Sequence, residues 1–146
     1  MSDLAIERAT PDDGPSMLAL LAASGLPTAG LIDHLGSAYV ARRGGRIVGT
    51  AALELYEDGA LLRSVAVDER ERGGGLGRLL TERAIDAADA RELAAVFLLT
   101  TAAEEYFTRF GFAVIGREQV PESLRASVEF QSACPASATV MRRVLR

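Results

Sequence analysis

Val67-Asp68-Glu69-Arg70-Glu71-Arg72-Gly73-Gly74-Gly75-Leu76-Gly77-Arg78-Leu79-Leu80 decides how the rest of the chain is read. A β-branched strand ends in a charged turn, passes through crowded glycines and opens an amphipathic helix. Glycine lets backbone approach a ligand closely, and the first turn of a helix presents unpaired N–H groups. Bare donors and the positive end of the helix dipole converge there, which suits a phosphate or pyrophosphate. Arg72 and Arg78 add cationic charge at the two edges. Such a run of glycines is costly in chain entropy, and a bound ligand is a reason to keep it.

Two familiar phosphate sites fit poorly. A P-loop needs Gly-Lys-Ser/Thr at the helix start, whereas Arg78-Leu79 follows Gly77. A dinucleotide fold wants Gly-x-Gly-x-x-Gly after its first strand, and these glycines follow roughly the fourth.

Working outward, Leu4 to Arg8 alternates as a first strand. Thr10-Pro11-Asp12-Asp13 reads as a helix start that buries Met17, Leu18, Leu21 and Ala22 and stops near Gly25. Leu31 to Leu35 adds a short helix. Residues 37–42 and 46–55 pair as strands across Gly44-Gly45, and Asp58-Gly59 turns into a strand over 60–67. The helix over 76–90 sets Leu76, Leu79, Leu80, Ala84, Ala87 and Ala88 on one face. The apolar run 95–100 reads as a strand buried on both faces. A short helix over 104–110, a strand over 112–116 and a last strand over 138–145 complete the order. The spacing alone implies a mixed α/β sheet with helices on both faces.

The 146 residues, 49% of them hydrophobic, suffice for one domain with an adequate core. A net charge of −4 argues against nucleic acid as the main partner. No apolar run approaches the roughly 20 residues of a membrane span, and the N-terminus lacks a signal-peptide pattern. One cysteine, Cys134, forms no internal disulfide and no multi-thiolate metal site, which suits a cytoplasmic protein with no bound metal.

Arg72-x-x-Gly75-x-Gly77 resembles the acetyl-CoA loop of the GNAT N-acetyltransferase superfamily, and Glu105-Tyr106-Phe107-Thr108-Arg109-Phe110-Gly111-Phe112 resembles its second landmark. The resemblance implies one GNAT domain over 1–146, an α/β (α+β) fold with a mixed central sheet, and acetyl-CoA as co-substrate. Val65, Ala66 and Val67 would pair with the pantetheine arm as an added strand. Arg72, Gly73, Gly74, Gly75, Leu76, Gly77 and Arg78 would hold the pyrophosphate, with Thr100 and Phe107 also at the cofactor. The acetyl group would pass directly to an amine through a tetrahedral intermediate.

This chain departs from the family's pattern. Phe107 stands where the family often has a tyrosine that protonates the leaving thiolate, and Tyr106 lies one residue earlier, turned by about 100° on a helix. Thr100 replaces a usual asparagine, and Leu61 stands where some members carry a glutamate. Glu54, Glu129 and Tyr106 are therefore the candidate catalytic groups, and His34 reads as a surface or helix-end residue. Candidate acceptor contacts are Arg63, Ser64, Arg109 and Ser127, with Arg117 and Arg125 as further cations; alternation places Arg63 and Ser64 on opposite sheet faces. Cys134 reads as a small packed side chain.

Together with Leu99-Thr100-Thr101, the second landmark and the tail to Met141 resemble the arsenic-resistance N-acetyltransferases. The likeness to the acetyltransferase domain of N-acetylglutamate synthase is weaker and centres on Leu-Thr-Thr and the Phe-Gly-Phe-to-Pro region. Both imply a small amino-acid-like amine acceptor; separately, no membrane partner is expected, and the protein is expected to be a monomer or homodimer. The alternative is a catalytically impaired module that binds acetyl-CoA as a sensor or adaptor.

Overall fold

A seven-stranded sheet in the order β1-β2-β3-β4-β5-β7-β6 forms the body of the computed structural model, which describes residues 4–146. The strands are β1 Leu4–Arg8, β2 Ala38–Arg43, β3 Arg46–Tyr56, β4 Gly59–Val67, β5 Ala95–Thr100, β6 Ala113–Ile115 and β7 Thr139–Val144. Every neighbouring pair is antiparallel except β4 with β5. Helix α1, Gly14–Ala23, covers one face, and α2, Leu76–Ala90, covers the other. The mixed sheet with helices on both faces is thus the architecture that the spacing and the resemblance imply.

Two cores follow from strand alternation. Leu53, Leu62, Val96, Leu98 and Met141 pack under Leu76, Leu80, Ala84 and Ile85 of α2. Met17 and Leu21 of α1 pack with Val40, Ala52 and Ala66 on the opposite face. In β5, Val96 and Leu98 join the α2 core while Ala95 and Phe97 join Leu61, Val120 and Leu124, so both faces of that strand are buried.

Several expected boundaries shift. Thr10 and Pro11 start a 3-10 turn, Pro11–Asp13, and the α-helix begins only at Gly14. Ala22 and Leu79 are exposed rather than buried; Thr81 and Ile85 complete the buried face of α2. The helix over 104–110 stops sooner, giving α3 at Glu104–Thr108, because Phe110 N–H bonds Phe107 O and Gly111 takes φ +86°. β6 keeps three residues, those that pair with β7. The stretch after Gly116 contains one more helical turn, α4, Glu122–Arg125, and a π-turn at Glu129–Ala133.

Candidate active site

β4 and β5 pair only at Ala60 with Val96 and Leu61 with Phe97. Beyond those pairs the strands part, and the edge of β4 from Leu62 onward has no strand partner on that side. Two cavities of about 590 and 610 Å³ open along the gap, and Tyr106 and Val65 line both.

The glycine-rich loop forms one of them. Its lining includes Val65, Ala66 and Val67 from β4, then Arg72, Gly73, Gly75, Leu76, Gly77 and Arg78, with Arg109 opposite. Gly73 and Gly75 sit at φ +88° and +81°, a left-handed backbone that L side chains rarely adopt, so glycine is required where α2 begins. A side chain at Gly77 would place its Cβ 2.9 Å from the Tyr106 hydroxyl, so this glycine lets the ring lie against the first turn of α2. Arg72 Nε donates to Val67 O at 3.1 Å and ties the loop to the end of β4. Of the seven residues read as the pyrophosphate loop, only Gly74 is outside the lining.

The second cavity lies between the diverging strands and the C-terminal segment. Arg63 and Ser64 both line it, correcting the expectation that they face opposite sides. The cause is a bulge: the β3–β4 register slips between Thr50 and Ala52, and Ser64 takes φ +60°. Fully buried Thr50 holds the distorted strand by donating its hydroxyl to Ser64 O at 2.7 Å. Thr100 and Phe107 line this cavity rather than the loop cavity. Thr100 Oγ1 accepts Ala103 N–H at 3.0 Å, so it caps the turn into α3.

Behind the wall lies a buried ionic cluster. Arg63 Nη1 donates to Glu54 Oε2 at 2.9 Å, with neither side chain more than 1% exposed. Glu54 also accepts hydrogen bonds from the Tyr56 and Ser127 hydroxyls and has His34 Nε2 at 3.7 Å. Burial alone would raise the Glu54 carboxyl, but the bonds from Ser127, Tyr56 and Arg63 outweigh it and hold the group below its usual value. Glu129, 3.5 Å from Arg63 Nη2, has fewer donors, and burial pushes its carboxyl up. The same burial, with Glu129 beside it, raises the Cys134 thiol to about 12, so at neutral pH it is a protonated donor to Glu129.

The candidate residues therefore separate. Glu129 and Tyr106 reach the cavities; Glu54 and Ser127 line neither and stand behind the wall. Among the candidate cations, Arg109 faces the loop cavity, Arg125 is exposed on α4, and Arg117 donates to Pro135 O and Ala138 O. Sequence reasoning missed Thr50 and Tyr56, which carry no motif; His34 lies in the last turn of the 3-10 segment Leu31–Ser37, as expected of a helix-end residue, and from there approaches Glu54. Among the described residues no group of three metal-ligating side chains forms, and no helix is long and apolar enough to cross a membrane.

Comparison with known proteins agrees with this fold. Residues 34–114 match the model of the acetyltransferase (GNAT) domain. An uncharacterized N-acetyltransferase of Chlorobaculum tepidum is 34% identical over 95 residues, 64% of this chain and 61% of the relative. An amino-acid acetyltransferase of Mycobacterium tuberculosis is 39% identical over 72 residues, 49% of this chain and 41% of the relative. The matches thus span about half the length of these relatives. The structure of Rv2747 from Mycobacterium tuberculosis, in complex with CoA and NLQ, superposes with a TM-score of 0.81 at 26% identity, covering 97% of this chain and 99% of that one. N-acetylglutamate synthase from Neisseria gonorrhoeae, complexed with coenzyme A and N-acetyl-glutamate, gives 0.84 at 24% identity over 100% of this chain and 36% of that one. With the family model covering more than half of its length, the chain belongs to the GNAT acetyltransferase family.

Proposed function

We propose that residues 4–146 work as one unit that transfers the acetyl group of acetyl-CoA directly to the amine of a small amino-acid-like acceptor. The observation that carries this reading is the meeting of two unlike cavities at Tyr106. One has the start of α2 and three arginines, with Glu71 and Glu82 each engaged by an arginine; the other has Glu129 in its wall beside Arg63. The first suits a pyrophosphate, and the second an amine that must lose a proton before it attacks. The names of the amino-acid acetyltransferase and N-acetylglutamate synthase relatives support the acceptor class.

In this reading the open edge of β4 pairs with the pantetheine arm. The amine nitrogen bonds to the acetyl carbonyl carbon, the C–S bond breaks, and CoA leaves as a thiolate. Glu129 takes the proton that the ammonium sheds, the Tyr106 hydroxyl, against Gly77 at the start of α2, supplies one to the thiolate, and the second proton released by the nitrogen as the amide forms restores the tyrosine through solvent. Holding amine and thioester together across the parted strands provides much of the acceleration. The free thiol of Cys134 fits a reducing, cytoplasmic setting.

Release of free CoA thiol tests the reading, with amino acids, polyamines and amino-bearing organoarsenicals as acceptors and a correction for Cys134. The organoarsenicals enter on the resemblance of residues 99–101 and 106–112 to the arsenic-resistance family. Turnover with an amino-acid-like amine is expected. Acetyl-CoA binding without turnover would favour the sensor reading, which the phenylalanine at 107 suggests. The loop is tested separately by Gly75→Asp, which adds a carboxylate and a strained φ where the pyrophosphate would sit. The KM for acetyl-CoA should rise at least tenfold with far-UV circular dichroism unchanged; an unaltered KM refutes the loop assignment.

A further inference from the structure

We infer that the acceptor cavity selects a neutral α-amine with an apolar body, such as an α-amino amide, over the free α-amino acid. This rests on the amino-acid-like reading above and narrows it. Leu26, Pro27, Leu62, Leu99, Phe107 and Pro135 give the walls their apolar character, and among the described lining residues only Arg63 and Glu129 are charged.

Arg63 has little left to offer an incoming carboxylate. Its Nη1 holds Glu54 at 2.9 Å, its Nε holds the Ser64 hydroxyl at 3.0 Å, and its Nη2 meets Pro27 O at 3.4 Å and Glu129 at 3.5 Å. One guanidinium thus faces two carboxylates, Glu129 in the wall and Glu54 behind it, and its charge is already balanced. Arg72, Arg78 and Arg109 line the other cavity. The backbone N–H of Ala103, at the start of α3, is already taken by Thr100.

Covalent geometry supplies the rest. An α-carboxylate sits on the carbon that carries the reacting nitrogen, so it must go as deep as the amine. There it would meet Glu129 without an uncommitted cation, a burial that is strongly unfavourable for an ion. An amide at the same place carries no charge, and its NH₂ can donate to Glu129. A side chain that fills the apolar walls adds affinity by leaving water.

The test compares leucinamide with leucine and phenylalaninamide with phenylalanine, with glutamate as a dicarboxylic probe, at saturating acetyl-CoA. Rates are expressed per concentration of unprotonated amine, because amidation lowers the amine's own pKa. The amides should exceed their free acids at least tenfold in kcat/KM, with glutamate weakest. Calorimetric titration of the same compounds into protein saturated with CoA reads the preference without turnover. In Glu129→Gln the difference in binding between amide and acid should shrink, since the opposing charge is gone. Free acids bound and acetylated as well as their amides would overturn the inference while leaving the amino-acid-like reading intact. Neither binding nor turnover of any pair, with CoA still bound, would overturn both.

Discussion

Glu54→Gln is expected to lower the free energy of unfolding by about 3–5 kcal/mol near neutral pH, because it removes the hydrogen-bonded counter-charge of a buried guanidinium and leaves only Glu129, at 3.5 Å and with a carboxyl that burial pushes toward its neutral form. Arg63 is 3% exposed and Glu54 fully buried, so water cannot restore what the substitution removes. Small domains are stable by only about 5–15 kcal/mol, so this one change would consume a large share. Urea unfolding measures it as a lower midpoint at unchanged slope; a loss below about 1 kcal/mol would show that the pair contributes little net stability.

The pH dependence has a definite sign. Glu54 titrates below its ordinary value in the folded protein, so its contribution is present above the unfolded carboxylate pKa of about 4.3 and is lost as pH falls through the folded value. The gap between wild type and Glu54→Gln should therefore narrow in acid. Replacing both partners by apolar residues, Glu54→Leu with Arg63→Met, should recover part of the stability, since no buried guanidinium is then stranded and Glu129, its cation gone, is neutralised by taking up a proton.

Glu129→Gln is expected to lower kcat by about 10²–10⁴-fold, the usual range for a lost general base. The wild-type kcat/KM should show an acid limb above the ordinary carboxylate range, because burial raises Glu129, and the variant should lack it. Stability separates this role from a structural one. A carboxyl raised on folding favours the folded state below its unfolded pKa and loses that contribution as pH rises through the folded value. Near pH 8 the glutamine variant should thus be at least as stable as the wild type. A rate that falls only with unfolding would assign Glu129 to the wall alone.

Much was legible because it is local. Gly44-Gly45 and Asp58-Gly59 marked the turns that bound β3 and β4, and the helical spacing of apolar residues drew α2. The loop at 72–78 announced itself through a density of glycine that plain turns do not need. Leu79 was misread because a helix that starts at a strand's end meets only part of the sheet, and Ile85 lies over it instead.

The acceptor side resisted the same reading. Alternation implies opposite faces for Arg63 and Ser64, but at a one-residue slip against β3, held by Thr50, both become part of the wall of one cavity. Glu54 and Ser127 meet although 73 positions separate them, and no local pattern records that contact. By itself the sequence determined the elements, the phosphate-suited loop and the family, since each depends on backbone preferences and spacing over a few residues. Tertiary structure alone decided which carboxylate faces the cavity and which neutralises Arg63, because burial and partner distance, not residue type, set the charge that a side chain presents.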